Sequence, residues 1–206
     1  MALKPEDFDF ISNFSTLWSV VLGALLATMG GLIGGQLEWF FESRRRERDA
    51  ALFFGEILST LKMILDLAVN SRKIGDPYGP ITIRFLRSAR REIDIYERNR
   101  ETLYAIRNGD LRAQIHTIIL RLSMPLDGVF DATNAIETVS AQLKAPNLPA
   151  VDREELEARV QKIRENRDGG FDFLTETAEQ MKPIVTALGG VSRRESDAIE
   201  RAVRGS

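Results

Sequence analysis

The sequence predicts an all-α protein: one N-terminal transmembrane helix that continues into a cytoplasmic bundle of about four long, partly kinked helices. Three observations support this fold class. Residues 10–37 carry no charge over 28 positions, apolar residues recur at intervals of three and four through much of the remaining chain, and no long segment alternates between apolar and polar residues. An uncharged run of this length is typical of a membrane span, and the spacing is typical of packed amphipathic helices.

The uncharged run is the first predicted element, and it divides the chain into three parts. We predict a short external segment over residues 1–14, a transmembrane helix over residues 15–41 and a cytoplasmic helical domain over residues 42–206. Trp18 and Trp39 bracket the run, and at about 1.5 Å per residue they lie roughly 31 Å apart along a helix, close to the thickness of the hydrocarbon core. Because tryptophan favours the headgroup region, both are predicted to anchor the span at the membrane interfaces.

Basic residues beside the run set its predicted orientation. Lys4 is the one basic residue before the run and stands among acidic residues, a composition that also fits a cleaved signal peptide poorly. Four arginines follow the run, and by the positive-inside rule they keep the following domain in the cytoplasm and the N-terminus outside. The sequence therefore predicts a single-pass protein of the bacterial inner (plasma) membrane that contacts membrane lipid. The four arginines, which are predicted interface anchors like the two tryptophans, are Arg44, Arg45, Arg46 and Arg48.

Small residues recur inside the run at intervals of four, in two overlapping series. Small residues at this spacing lie along one helix face and allow the backbone of a second helix to approach closely. We therefore predict a transmembrane packing face of the GxxxG kind, whose partner is either an identical helix or a different membrane-protein subunit. The residues of this face are Gly23, Ala27, Gly30, Gly31, Gly34 and Gly35.

Turn-forming residues divide the cytoplasmic part into a series of predicted helices. The first continues from the span to about Lys73 and ends where residues 75–80 read Gly-Asp-Pro-Tyr-Gly-Pro. The second is expected to end at Asn108, with Asp110 as the N-cap of the third. Because Pro125 removes one backbone hydrogen bond, the third is expected either to kink near Leu122 or to divide into two shorter helices. The predicted helices lie near residues 42–73, 81–107, 111–143, 152–188 and 193–203.

The fourth predicted helix of the cytoplasmic part carries the most regular apolar pattern. Its intervals alternate between four and three, as in the heptad repeat of a coiled coil. Pro183 is expected to bend this helix near its end, and Gly189-Gly190 to terminate it. The seam residues are Leu156, Val160, Ile163, Arg167, Gly170, Leu174, Thr177, Met181, Ile184 and Leu188.

Composition limits the chemistry that the chain can support. With no cysteine and one histidine, it cannot build a zinc–thiolate site or a histidine metal cluster. Residues 42–121 contain 16 basic and 11 acidic residues, which is too sparse a basic surface for nucleic acid. We therefore predict no catalytic, cofactor-binding or metal-binding residue, no nucleic-acid partner and no small-molecule substrate. The side chains that come nearest to a site, and that we interpret as structural, are His116, Asp127 and Asp131.

The function predicted from these patterns is non-enzymatic. The first hypothesis is an oligomeric scaffold or accessory subunit of a membrane complex, either a homo-oligomer or an assembly with other membrane proteins. The alternative is a signalling or effector module in which the helix that leaves the membrane transmits movement to the bundle. A carboxylate-dependent enzyme is a third class. In the signalling hypothesis the hinges would be Gly55, Pro125, Gly169 and Pro183.

Overall fold

The computed structural model of the chain describes residues 5–146 and 148–204, and the side chains of residues 5–17, 20, 29–35, 37 and 194–204 lie outside that description. Within the described residues every regular element is helical, so the predicted all-α fold is confirmed. The α-helices are α1 (Pro5–Arg72), α2 (Pro80–Arg98), α3 (Gly109–Leu143), α4 (Ala150–Glu179) and α5 (Met181–Arg204), and a 3₁₀ helix follows α2 at Arg100–Ala105.

The chain divides into two compact units, residues 1–45 and residues 46–206. We call them the N-terminal unit and the bundle unit. The helix described in the N-terminal unit is the first part of α1. The side chains of residues 21–28 in this part are all exposed. The bundle unit contains α2 to α5 together with the later part of α1, and the buried core of the described residues, which begins at Ala50, lies within it.

The predicted transmembrane helix over residues 15–41 falls within α1. In the part of the chain that the structure describes, no helix contains a stretch that is both apolar enough and long enough to cross a membrane. The side chains at residues 29–35, near the centre of the predicted span, lie outside that part. The membrane span therefore stays a prediction.

In the bundle unit, α1, α2 and α3 run in alternating directions. The Phe54 ring lies 5.8 Å from the Tyr96 ring, and further along α1 the Ser71 hydroxyl lies 2.9 Å from the Thr82 hydroxyl, so α1 and α2 are antiparallel. Tyr96 also contacts α3, through a 3.1 Å hydrogen bond between its hydroxyl and Nδ1 of His116. Because α3 then runs back along α2, these contacts give an up-down arrangement of the first three helices.

The last two helices complete the bundle by running back along α1 and α3. Lys62 of α1 donates to Glu179 at 2.9 Å, while Arg72, nearer the end of α1, donates to Asp168 at 2.8 Å. Gly170 lies against Val129 of α3, because a Cβ placed on this glycine would stand 3.5 Å from Cγ2 of Val129. The helical-bundle part of the predicted fold is therefore confirmed.

The core is built from the apolar stripes of all these helices. Every helix from α1 to α5 contributes to one cluster of buried side chains, and α1 supplies the longest series of them. Among the seam residues, Val160 and those from Leu174 to Leu188 are buried, as the heptad spacing predicts. Leu156 and Ile163 are only half-buried. The largest fully buried side chains are Tyr96, Phe54, Leu58, Leu61, Leu86, Ile93, Ile106, Ile115, Leu122, Leu126, Leu174 and Met181.

The second predicted helix, near residues 81–107, is shorter than expected. It ends at Arg98 because the side-chain amide of Asn99 donates to the carbonyl of Ile95 at 2.8 Å, and the Asn99 backbone N–H bonds the same turn. A 3₁₀ helix then leads to α3, whose N-cap is Asn108 and not Asp110. The Asn108 side chain accepts a hydrogen bond from the backbone N–H of Leu111 at 3.1 Å, the interaction that an N-cap provides.

Two predicted helix boundaries are not found, one at Pro125 and one at Gly189-Gly190. Pro125 lies inside α3, which remains one helix, so the alternative of two shorter helices is not found. The seam helix ends at Glu179 and not at Gly189-Gly190, which lie inside α5. Pro183 explains the break, because its ring would clash with the carbonyl four residues earlier, which is that of Glu179, and proline is tolerated in the first turn of the next helix.

The loop between α1 and α2 holds residues that the sequence pattern marks as breakers. Gly75 has φ +83°, a left-handed conformation that favours glycine, and it ends the turn after α1. Asp76 then accepts the Tyr78 backbone N–H at 3.0 Å through its side chain and the Gly79 backbone N–H at 3.0 Å through its carbonyl. This loop is therefore an ordered turn that presents Tyr78 to the bundle, where its side chain is buried.

Candidate functional site

The N-terminal unit exposes an unusual set of large apolar side chains. Leu26 is 64% exposed and Trp39 is 69% exposed, values expected of polar surface residues. At about 100° per residue, the large residues between 21 and 26 lie within an arc of about 140° on the helix, opposite Gly23, Ala24 and Ala27. The exposed large apolar residues of this unit are Trp18, Val21, Leu22, Leu25, Leu26, Trp39, Phe40 and Phe41.

The residues predicted as interface anchors are placed as follows. Trp18 and Trp39 are exposed. The Arg44 guanidinium lies 4.5 Å from the centre of the Phe40 ring, within the range of a cation–π contact, and Arg44 is half-buried. Arg45 and Arg46 are exposed, and Arg48, which belongs to the bundle unit, is half-buried.

The predicted glycine face is described in part. A Cβ added to Gly23 would meet nothing within 4 Å, and Ala27 is exposed, so no other element of the described chain covers these two positions. The remaining positions of the face, Gly30, Gly31, Gly34 and Gly35, lie outside the residues whose side chains the structure describes. The packing role of the face therefore stays a prediction.

The bundle unit contains a polar and aromatic cluster that the sequence analysis missed. The Tyr78 hydroxyl donates to Oδ1 of Asp168 at 2.6 Å, and Arg72 donates to the same oxygen at 2.8 Å. The Arg167 guanidinium lies 3.5 Å from the centre of the Tyr78 ring, and Arg72 lies 4.5 Å from the centre of the Phe171 ring. This cluster joins the end of α1, the following loop and α4 through residues about 90 positions apart, a separation that sequence spacing does not reveal.

The environment of Tyr78 decides what this cluster can do chemically. Burial raises the pKa of the Tyr78 hydroxyl above its ordinary value of 10, and the hydrogen bond to Asp168 raises it further. A tyrosine with a raised pKa stays protonated at neutral pH, so it is a poor general base and a good hydrogen-bond donor. We therefore interpret Tyr78, Arg72 and Asp168 as a structural lock on the α1–α2 loop.

Replacement of Tyr78 tests this lock. We expect Tyr78→Phe to lower the free energy of unfolding by about 1 kcal/mol, because it removes the hydroxyl donor from Asp168 but keeps the ring between the arginines. The wild type should also lose stability as the pH rises above 10, where the unfolded tyrosine ionises and the folded one does not, and Tyr78→Phe should lose less. Chemical denaturation at pH 7 and pH 10.5 measures both effects.

Tyr104→Phe is the matched control, because Tyr104 is 75% exposed and carries the same chemical change. It should alter the free energy of unfolding by less than about 0.5 kcal/mol. Equal effects of the two substitutions at pH 7 would contradict the proposed lock.

A second charged group bridges α1 to the break between α4 and α5. Hydrogen bonds from Lys182 and Lys62 lower the pKa of the Glu179 carboxyl to about 2. For Lys62, burial lowers the pKa, but hydrogen bonds to Asp66 and Glu179 outweigh it and raise the pKa overall. Because Glu179 stays ionised to low pH, this bridge persists under mildly acidic conditions.

His116 and Asp127, two of the three side chains that come nearest to a catalytic or metal site, have structural partners. His116 is half-buried and shares a hydrogen bond with the Tyr96 hydroxyl, and Asp127 forms an ion pair with Nε of Arg90 at 3.3 Å. Asp131 is exposed. Among the residues whose side chains the structure describes, no group of histidine and acidic residues is arranged to hold a metal ion.

Comparison with known proteins adds no assignment to this geometry. No protein-family model, no curated protein and no solved structure matches the chain. The features that bear on its function are therefore its exposed apolar residues, its helical bundle and its clusters of charged residues.

Proposed function

We propose that the chain is a non-enzymatic, single-pass inner-membrane protein, whose cytoplasmic helical bundle acts as an oligomeric scaffold or as an accessory subunit of a membrane complex. One observation carries this proposal: large apolar side chains of the N-terminal unit, from Trp18 to Phe41, are exposed along a helix with no other element of the described chain against Gly23 or Ala27. Exposed large apolar residues such as those at positions 18–26 and 39–41 are typical of a surface that contacts a membrane or another protein.

Membrane lipid is the contact that best fits the sequence around these exposed apolar residues. The exposed residues fall within or beside 28 consecutive uncharged positions, more than the roughly 20 that a spanning helix requires. Removing apolar surface from water stabilises by about 25 cal/mol per Å², so leucines and tryptophans exposed in water would favour transfer into a bilayer. Trp18 and Trp39 bracket the run, which supports interfacial positions for both rings.

The basic residues support a cytoplasmic bundle. Arg44, Arg45, Arg46 and Arg48 follow the uncharged run, and Lys4 alone precedes it. Moving four arginines across a membrane is disfavoured, so the domain that follows them stays on the cytoplasmic side. The stacking of Arg44 on Phe40 is compatible with a residue at the boundary between headgroups and water.

The scaffold role rests on the small-residue face. Within a membrane there is no hydrophobic force between helices, so close backbone approach along small residues supplies the contact energy. Gly23 and Ala27 leave space for a neighbouring helix in the single chain. A second copy of this helix is the partner that we favour, because the bundle unit also carries half-buried seam residues at Leu156 and Ile163 that suit self-association.

Cysteine labelling tests the proposed topology. Because the native chain has no cysteine, single cysteines at Ala2 and Ser206 give unambiguous labels. We expect Ala2→Cys to react with a membrane-impermeant maleimide in intact spheroplasts and Ser206→Cys to react only after permeabilisation. The chain should also stay in the membrane fraction after an alkaline carbonate wash.

Two results would reject parts of this proposal separately. Labelling of Ser206→Cys but not Ala2→Cys in intact spheroplasts would contradict the proposed orientation but not the proposed transmembrane helix. Release of the chain into the soluble fraction by the carbonate wash would contradict the proposed transmembrane helix. In that case a protein partner would have to cover the exposed apolar residues.

A further inference from the structure

A cleft of about 720 Å³ lies between α2 and α3 in the bundle unit. The α1–α2 loop closes one side of it, and one face of α3 forms the opposite wall. A cleft of this size can hold a small organic ligand. Its principal lining residues are Arg84, Arg87 and Arg91 on α2, with Phe130, Asn134 and Glu137 on α3.

The three arginines share one face of α2. They follow one another at intervals of three and four residues, which places their side chains one above the other on a helix. All three are exposed, and no carboxylate among the described residues forms an ion pair with any of them. Arg90, on the neighbouring face, instead pairs with Asp94, with Glu97 and with Asp127.

This difference indicates that the cleft is suited to an anion. Like charges three and four residues apart destabilise a helix, so an unpaired row of arginines has an electrostatic cost. An anion placed between them offsets that cost. Guanidinium groups match the geometry of phosphate and carboxylate oxygens, and they form paired charge-assisted hydrogen bonds with them.

The opposite wall narrows the class of ligand. Asn134 offers a side-chain amide on α3, and the lining carries two carboxylates, Glu137 on α3 and Asp76 in the α1–α2 loop. Ile83 and Phe130 are half-buried and supply apolar surface beside the arginines. A compact anionic head attached to an uncharged or apolar remainder fits this lining better than a molecule that is negative throughout.

We propose that the α2–α3 cleft binds a phosphate monoester through Arg84, Arg87 and Arg91. The phosphate lies against the arginine row, and the remainder of the ligand lies toward Ile83 and Phe130. Two sources share this chemistry: a soluble phosphate monoester and the monoester headgroup of phosphatidic acid. The proposal rests on the charge pattern of the bundle unit and is independent of how the N-terminal unit is covered.

Calorimetric titration of the full chain, purified in a neutral detergent, tests the site. The probes are glycerol 3-phosphate, a short-chain phosphatidic acid and, as a lipid control without a monoester, a short-chain phosphatidylcholine. We expect saturable binding of at least one of the first two probes. Each of Arg84→Gln, Arg87→Gln and Arg91→Gln should weaken it by about tenfold, the loss of one charge-assisted pair.

Two further variants are expected not to weaken binding: one should strengthen it and the other should leave it unchanged. Glu137→Gln should strengthen binding severalfold, because it removes a negative charge from the cleft. Arg98→Gln is the matched control: Arg98 is an exposed arginine of the same helix that does not line the cleft, and the affinity should stay within about twofold. Unchanged far-ultraviolet circular dichroism and melting temperature confirm that each variant is folded.

Comparison of the soluble and the lipid phosphate probe identifies the source of the phosphate. The triple variant combines Arg84→Gln, Arg87→Gln and Arg91→Gln. Equal affinities for glycerol 3-phosphate and phosphatidic acid, both abolished in the triple variant, would support a soluble ester. Tighter binding of phosphatidic acid by tenfold or more, again lost in the triple variant and absent for phosphatidylcholine, would support a lipid headgroup. No saturable binding of either phosphate probe, or binding that survives in the triple variant, would overturn the proposal.

Discussion

Leu174→Ala should lower the free energy of unfolding by about 2–5 kcal/mol, because it removes buried methyl groups and leaves a cavity in a packed core. Leu174 is 2% exposed and belongs to the central apolar cluster of the bundle unit. It also lies on the seam of α4, between the α3 contact at Gly170 and the break at Gln180. Urea denaturation followed by circular dichroism measures the change.

Glu176→Ala is the control for this substitution. Glu176 lies two residues along the same helix and is exposed, so its removal should change the free energy of unfolding by less than about 0.5 kcal/mol. A small and equal effect at both positions would mean that the seam is not packed against the rest of the bundle. The heptad spacing would then carry no structural meaning.

The double substitution Gly23→Leu and Ala27→Leu should dissociate the proposed oligomer. Both positions belong to the predicted small-residue face, and both have free space around them in the single chain, so a folding defect is not expected. A leucine at each site would hold two helix backbones apart and remove the close contacts on which association in a membrane depends. We expect the assembled species to fall to monomer in size-exclusion chromatography with light scattering in a mild detergent.

Val21→Leu with Leu25→Ile is the matched control, because these residues lie on the large-residue side of the same helix. This variant should keep the assembled size. If the Gly23→Leu and Ala27→Leu double variant also stays fully assembled, the small-residue face is not the contact. Assembly would then have to come from the bundle unit.

The helical class of the chain is readable from the sequence because apolar spacing is a local property of each segment. Residues of the seam such as Met181, Ile184 and Leu188 are buried where the three-and-four spacing predicts. Residues 75–80 also interrupt the helix as predicted. Gly75 has a positive φ, a backbone conformation that is strained for any residue with a side chain, whatever surrounds it. The apolar surface of the N-terminal unit follows from composition alone, although its covering does not.

Helix ends were harder to predict, because several residues compete for the same backbone groups. Asn99 ends α2 before the stop expected at Asn108, and Asn108 displaces Asp110 as the N-cap of α3. Gly189 and Gly190 remain inside α5 because Leu188 and Ser192 beside them are buried. Burial there outweighs the cost of about 1 kcal/mol for each glycine in a helix.

The pairings between distant segments depend on tertiary packing. No spacing within the sequence joins Tyr78 to Asp168, or places Arg84, Arg87 and Arg91 opposite Glu137, because each pairing depends on how α2, α3 and α4 pack together. The helical class, the uncharged run and the apolar stripes of the helices are predictable without the structure, since they follow from local periodicity and composition. Tertiary packing determined which charges find partners, because a salt bridge or a cleft requires two helices at contact distance.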